Sequence, residues 1–401
     1  MIDSQFLNSS SDTPSSDIQS STFGLYIHIP YCLQKCHYCD FVKFRVGELP
    51  PLSDYIKLLS KELKLKNTMG PKKIKTLYFG GGTPSLLSID QISSIINDVK
   101  SVYSFVDKPE ITLEINPGTL SLEDFKALTE LGVNRFSLGI QTFNPLFLKA
   151  CDREHSPEQT LKDLENMTSL NIDFSVDLLF GLPNQNLKQL DDDLEKLMLF
   201  PPKHVSPYNL TLPNQHFFNK NRANDQEQTE MMDLITKRLH ENKIFRYELS
   251  NYAQEGFESQ HNRGYWEDRE YLGLGMGAHS YIKSSDWGTR LWNTGVYSKY
   301  EACIESPDRP HQKKEVLKLH EALTDFCHTS LRQLKGMSKD SLVLKFGQKK
   351  LPSGLWQSLS KLEQRGLISY NNQQWALTST GFEIPNEVFR ELCFLEEDLY
   401  E

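Results

Sequence analysis

Short runs of β-branched and aromatic residues alternate, over the first half of the chain, with longer segments whose apolar residues recur at helical spacing. The runs Leu25–Ile29, Thr76–Phe79, Ile111–Ile115, Arg135–Leu138, Phe174–Leu179 and Val205–Leu210 read as strands. Between them, Tyr55–Leu65 puts Tyr55, Leu58, Leu59 and Leu63 at helical intervals. Ser121–Leu131 opens on Ser121 and Asp124, carries Phe125 and Leu128, and stops at Gly132; Thr160–Leu170 is a third such segment. A crossover helix is what brings each next strand into parallel register, so the pattern predicts an α/β fold with mostly parallel strands. Six units predict a partial (β/α)6 barrel, open and wide at its mouth. The sequences at the strand ends are rich in turn and polar residues: Gly80-Gly81-Gly82-Thr83-Pro84, Asn116-Pro117-Gly118, Gly139-Ile140-Gln141 and Gly181-Leu182-Pro183. Barrel chemistry is built at the carboxyl ends of strands, which places the candidate site there.

The second half reads differently. Glu227–Asn242 is helical in pattern, followed by Tyr247–Tyr252, by the polar-aromatic stretch His261-Asn262-Arg263-Gly264-Tyr265-Trp266, and by the glycine-rich Gly273–Ser280. Leu355–Arg365 predicts a helix stopped by Gly366. Leu367–Tyr370, the turn Asn371-Asn372 and Trp375–Thr378 predict a hairpin after it, a winged-helix-like pattern. The expected organisation is a disordered Ser-rich leader over residues 1–22, a barrel with its closing segment over 23–300, and a smaller helical, winged-helix-like domain over 312–401.

A length of 401 residues accommodates this, at roughly 100–200 residues per domain. Lys and Arg number 44 against 53 Asp and Glu, a net charge of −9, which argues against nucleic acid as a partner even for the winged-helix-like module. No Lys or Arg precedes Lys35, so the start has no basic signal-peptide region, and a cytoplasmic, reducing location is expected.

Of seven cysteines, Cys32, Cys36 and Cys39 share one short loop directly after the first strand. An odd count in a long chain is not a secreted disulfide scaffold. A zinc site would present paired knuckles and a fourth ligand, for which His37 is awkwardly placed. A four-cysteine ferredoxin cluster would need another cysteine nearby, and none lies between Cys39 and Cys151. Three thiolates on three irons of a [4Fe–4S] cluster, leaving one iron open to a small molecule, fit the spacing and the strand-end position.

Cys32-X3-Cys36-X2-Cys39 with Tyr38 inside it, followed by Gly80-Gly81-Gly82-Thr83-Pro84, resembles the radical S-adenosylmethionine enzymes. Tyr26-Ile27-His28-Ile29-Pro30-Tyr31-Cys32, Gly139–Asn144 and Asp177–Pro183 are similar to the anaerobic coproporphyrinogen oxidase group, which includes a haem-chaperone branch. The oxidases carry a fourth cysteine two residues past the third and a longer N-terminal arm; here the position is Phe41. Cys39-Asp40-Phe41, Asn116–Thr119 and His261-Asn262-X-X-Tyr265-Trp266 look like the chaperone branch.

The resemblance implies a [4Fe–4S] cluster on Cys32, Cys36 and Cys39. It implies S-adenosylmethionine contacts from Tyr26, Tyr38, Gly81, Gly82, Thr83, Glu114, Gln141, Arg153, Asp177 and Leu210. It also implies haem as ligand, an acceptor protein for the haem, an electron-donor protein and a homodimer. The alternative function is oxygen-independent oxidative decarboxylation of coproporphyrinogen III. His261 is the candidate axial haem ligand beside the flat rings of Tyr265 and Trp266, against a purely structural reading in which it closes the barrel and is hydrogen-bonded internally. His279 and Cys327 are weaker candidates, and Cys151 and His155 are expected to be structural.

Overall fold

The computed structural model describes residues 21–213, 215–283, 287–306 and 312–399. Six strands form the barrel: β1 (Thr22–Ile29), β2 (Lys73–Gly81), β3 (Phe105–Ile115), β4 (Arg135–Gln141), β5 (Phe174–Phe180) and β6 (His204–Asn209). Each pairs in parallel with the next. The helices that return the chain are α1 (Leu52–Leu65), α2 (Ile89–Val102), α3 (Leu122–Glu130), α4 (Pro145–Ala150) with α5 (Pro157–Ser169), α6 (Leu187–Met198) and α7 (Asp225–Glu241).

All six expected strands are present, most of them longer than their apolar runs. β2 continues through Gly80 and Gly81, which the sequence pattern assigns to a loop. β1 begins at Thr22, so the end of the expected leader is strand; residues 1–20 lie outside the described residues. Ser121 and Asp124 form the expected reciprocal cap of α3. The same device at Ser88 and Gln91 opens α2, and at Asn186 and Gln189 opens α6. These S/N-x-x-Q signatures mark two helices that apolar spacing alone leaves unnamed.

The segment after α7 extends the sheet at both ends. β7 (Phe245–Glu248) and β8 (Asn251–Ala253) add antiparallel strands beside β6. After α8 (Gln260–Trp266), β9 (Tyr271–Leu274) joins β1 in parallel on the opposite side. β10 (His279–Ile282), β11 (Thr289–Asn293) and β12 (Gln312–Val316) continue outward antiparallel, with α9 (Tyr297–Glu305) between the last two. Among the described residues the sheet order is β12-β11-β10-β9-β1-β2-β3-β4-β5-β6-β8-β7. Residues 312–316, the expected start of the second domain, are thus an edge strand of the barrel sheet.

Beyond them, α10 (Leu319–Leu331), α11 (Lys339–Phe346) and α12 (Ser353–Gln364) pack with a three-stranded sheet of β13 (Met337–Ser338), β14 (Ile368–Asn371) and β15 (Gln374–Leu377). Their apolar cluster, which runs from Leu317 to Phe394 and takes in Tyr281 of β10, is separate from the main core. Asn372 and Gln373 turn the hairpin with φ of 49° and 63°.

The main core lies between sheet and helices. Phe23, Leu25, Ile27 and Ile29 of β1 and Leu77 and Phe79 of β2 belong to it. The alternate positions face the barrel axis and are polar or aromatic: Tyr26 and His28, Thr76 and Tyr78, Glu110 and Glu114, Ser137, Ser175 and Asp177. They meet between neighbouring strands, as in the Tyr26–Tyr78 stack and the Ser137–Ser175 and Ser137–Asp177 hydrogen bonds.

α8 plugs the lower end of this polar interior. The Glu110 carboxylate accepts the backbone N–H groups of Gln260 and His261 at 3.0 and 2.9 Å. The residues just after α10 grip the same helix from outside. The Arg332 guanidinium lies 4.4 Å from the Trp266 ring centroid, Gln333 donates to the Trp266 carbonyl, and Lys335 pairs with Glu267 at 2.9 Å. Lys345 pairs with Asp268 at 2.7 Å.

A buried ionic knot fixes the closing segment to α1. Glu62 and Lys66, one turn apart and almost wholly buried, pair at 2.5 Å. Glu62 also accepts from Gly275 N–H, Asn293 Nδ2 and Tyr300 Oη at 2.7, 2.6 and 2.7 Å, and Lys66 donates to Asn293 Oδ1 at 2.9 Å. Glu62→Ala leaves Lys66 charged and buried, so urea denaturation is expected to show a loss of about 3–5 kcal/mol. Replacing both partners by Met and Leu is expected to recover only part of it, because the Gly275, Asn293 and Tyr300 donors lose their acceptor.

Candidate functional site

The cysteine loop leaves β1 through Pro30. Tyr31-Cys32 pairs in parallel with Phe44-Arg45, which pinches the loop shut at the carboxyl end of the barrel. Cys32 is buried, and Cys36 and Cys39 are partly buried. Burial pushes the Cys32 thiol up to about 11, against a hydrogen bond from Thr83 that favours its thiolate. Among the described residues no three His, Cys, Asp or Glu side chains gather where a single ion could be held.

Glycine at 81 and 82 has an internal reason. A Cβ on Gly82 would stand 2.9 Å from Cys32 Sγ and 2.7 Å from the Tyr31 carbonyl. Gly81 has φ 116°, and a Cβ there would lie 2.6 Å from the His28 ring. His28 is itself held by Tyr26 Oη at 3.0 Å and by the Val42 carbonyl at 2.7 Å. Thr83 is buried and accepts from Asn116 Nδ2 at 3.0 Å, so its hydroxyl bridges the cysteine loop to the end of β3.

Glu114 faces Tyr26 across the mouth. Tyr78 Oη donates to it at 2.7 Å and the Gly81 N–H at 3.0 Å. Burial raises its carboxyl to about 7, with nearby Asp177 adding to the rise. Asp177, on β5, is raised to about 6 by burial, against hydrogen bonds from Ser206 and Ser137. Tyr78 escaped the sequence reading; its signal is the β2 alternation, which sends residue 78 inward two places ahead of Gly80.

Gln141 and Arg153 meet above Gly139, where a Cβ would lie 3.0 Å from Gln141 Nε2 and 3.3 Å from Arg153 Nη2. Gln141 ends β4 with φ 63°. Arg153 donates to the Gly139 carbonyl at 2.6 Å and to Asn116 Oδ1 at 3.0 Å, and its Nη1 lies 3.7 Å from Cys36 Sγ. Its Nε is buried with no hydrogen-bond partner among the described residues, and the ionisable groups nearest it are Tyr38, Cys36 and Cys151. On the other side of the mouth, Tyr38 packs against an apolar cluster of Phe147, Cys151, Leu179, Leu182, Leu210 and Phe218. Cys151 is buried in that cluster. His155 is buried against the Ile140 carbonyl, and burial lowers it to about 3.

The structure brings Arg153 to Cys36, Gly139 and Gln141, and Glu114 to Tyr78 and Gly81, while His261 lines the same cavity as Tyr26, Gly81 and Glu114. It lies below, on α8, stacked on Tyr78 at 4.9 Å. Its Nδ1 bonds Thr76 Oγ1 at 2.7 Å and its Nε2 bonds Tyr265 Oη at 2.8 Å. Both ring nitrogens are hydrogen-bonded, the arrangement that the internally bonded, barrel-closing reading of His261 expects. Cys327 is fully buried in the second apolar cluster. A cavity of about 710 Å³ runs from Tyr26, Tyr78 and Glu114 outward past Phe41 to His279 and Phe326. No helix among the described residues is long and apolar enough to cross a membrane.

Residues 26–197 match the family model of the radical SAM superfamily. The chain is 34% identical to the "Heme chaperone HemW" of Bacillus subtilis over 91% of its own length and 97% of that protein's. It is 32% identical to the protein of the same name from Lactococcus lactis, over 93% and 97%. Among solved structures, coproporphyrinogen III oxidase (HemN) from Escherichia coli, a radical SAM enzyme, superposes with a TM-score of 0.80 over 96% of this chain and 93% of the other, at 19% identity.

Glu114 yields a pH test. Its carboxyl is raised from 4.5 to about 7, so it favours the native state while protonated, and that contribution is lost as pH rises through 7. Glu114→Gln removes the ionisation. Melting curves are expected to show the variant gaining on the parent protein between pH 5 and about pH 7, with a constant difference above; a pH-independent difference would contradict the assignment.

Proposed function

The chain belongs to the HemW family of radical S-adenosylmethionine proteins, and from that premise we propose that it binds haem and passes it to an acceptor protein. The observation that carries this reading is similarity to bacterial haem chaperones along nine-tenths of the chain, the C-terminal module included. Phe41, at the place of the oxidases' fourth cysteine, agrees with it.

Cys32, Cys36 and Cys39 would hold the [4Fe–4S] cluster. The fit rests on Arg153, a cation beside Cys36 Sγ with one N–H unmatched, and on Gly82, which leaves Cys32 its room. When bound, the cluster supplies the electron that reductively cleaves S-adenosylmethionine. The chain's own residues bind and orient. Arg153 is placed to take a carboxylate, and Glu114 and Asp177 to accept from an ammonium or ribose hydroxyl groups. Tyr26, Gly81, Gly82, Thr83 and Gln141 complete the polar wall, while Tyr38 and Leu210 offer an apolar face that excludes water from an adenine ring. We assign the protein to the cytoplasm, with an electron-donor protein and a second copy of the chain as partners, and no nucleic acid.

Arg153→Lys keeps the charge but loses the fork. Calorimetric titration of the reconstituted variant is expected to show S-adenosylmethionine affinity down about tenfold, with the melting temperature little changed. One reconstituted sample tests the function as a whole. Haemin titration is expected to give a saturable, stoichiometric Soret band. Anaerobic incubation with coproporphyrinogen III, S-adenosylmethionine and reductant is expected to yield no protoporphyrinogen IX. Turnover without haem binding would reverse the reading in favour of the oxidase.

A further inference from the structure

Three side chains of the barrel interior converge on Gly80. A Cβ there would stand 2.8 Å from the Tyr78 ring, 2.9 Å from the Tyr26 ring and 3.1 Å from Glu114 Oε1. The bare backbone leaves room for the two tyrosines, register partners on β1 and β2, to lean together toward the Glu114 carboxylate of β3. Their hydroxyl groups then part. Tyr26 Oη is bonded to His28 Nδ1 at 3.0 Å, whereas Tyr78 Oη donates to Glu114 Oε1 at 2.7 Å.

The Tyr78 ring is fixed by its neighbours. It stacks with Tyr26 at 5.9 Å and 26° and with His261 at 4.9 Å and 27°, and His261 is itself tied to Thr76 and Tyr265. Burial, with the Glu114 charge adding to it, raises the Tyr78 phenol well above its ordinary value, so the hydroxyl stays a donor. Glu114 accepts one hydrogen bond on each oxygen, from Tyr78 on Oε1 and from the Gly81 N–H on Oε2. Each oxygen keeps a further acceptor site, and the residue lines the cavity. Burial works against the charged carboxylate that this requires. The Tyr78 hydrogen bond is the largest contribution opposing burial, ahead of the Gly81 N–H. The other titratable groups that feel Glu114 are Tyr26 of β1, Asp177 of β5, Tyr208 of β6 and Tyr265 of α8, none of them basic. The stacked His261 is kept neutral by burial and then by the charge of Arg269.

We propose that Tyr78 is a positioning residue of the S-adenosylmethionine site: it aims the Glu114 carboxylate into the cavity and keeps it an acceptor for the ligand's ammonium or ribose hydroxyl groups. The proposal deepens the reading of Glu114 as a ligand contact and rests on it. Gly80 contributes by leaving Tyr26, Tyr78 and Glu114 their common space.

Calorimetric titration of S-adenosylmethionine into the reconstituted parent, Tyr78→Phe, Glu114→Gln and the double variant, from about pH 6 to about pH 9, tests it. The ratio of two affinities at one pH cancels the ligand's own ionisation. Tyr78→Phe keeps the ring and its stacks, so its melting temperature is expected to stay close to the parent's. Its affinity is expected to be down about tenfold at and below about pH 7. That gap is expected to narrow toward about pH 9, where Glu114 ionises without the hydroxyl. In the Glu114→Gln background the effect of the same substitution is expected to be equal at every pH. A Tyr78→Phe loss of one size across the whole range, or no loss, would overturn the role of Tyr78 and leave the Glu114 contact intact. Glu114→Gln binding as tightly as the parent throughout would remove that contact, and the proposal with it.

Discussion

A six-stranded barrel that does not close cannot fill itself with aliphatic side chains as a complete one does, and its inward positions here carry Tyr, His, Glu, Asp and Ser. Burying such groups is favourable only if each finds a partner. Much of the remaining structure answers that requirement. Glu114 is matched by Tyr78 and a backbone N–H from the glycine strand, and Asp177 by serines from its two neighbouring strands. Glu110 finds its donors in the first turn of α8, a segment far away in sequence. The floor of the barrel is thus made by the need to satisfy a carboxylate, while at the mouth the Arg153 Nε is buried without a partner.

Much of this was legible in the sequence because it is local. The βα alternation follows from apolar spacing, and the cysteine loop and glycine-rich strand end follow from residues a few places apart. What escaped was long-range. Glu62 and Lys66 sit one turn apart on the buried side of α1, and a pattern that counts only apolar residues passes over them; their partners are more than two hundred residues away. β9 is four residues of Tyr-Leu-Gly-Leu, too short to announce a parallel strand, and it exists because β1 has a free edge to pair. The ambiguity at His261 had the same source. The motif is plain in the sequence, but whether its imidazole is free depends on Thr76, which lies 185 positions away.

The site divides by chemistry as well as by place. Around the mouth, Arg153 and the two carboxylates are paired loosely enough to meet a zwitterionic ligand, and the Tyr38–Leu210 wall is apolar. Below it, Tyr26, Tyr78, His261 and Tyr265 stack and hydrogen-bond into a column that lines the cavity.

α8 serves two masters. Its first turn satisfies Glu110 inside the barrel, while Trp266, Glu267 and Asp268 at and beyond its end are gripped by Arg332, Lys335 and Lys345 of the C-terminal module. Genetics on this segment will therefore be ambiguous by construction. A loss-of-function allele in His261–Trp266 reports on a hinge between two cores as readily as on any bound molecule, and a deletion of the C-terminal module is felt inside the barrel. Phenotype alone will not separate the two; a melting curve of each variant, read beside it, will.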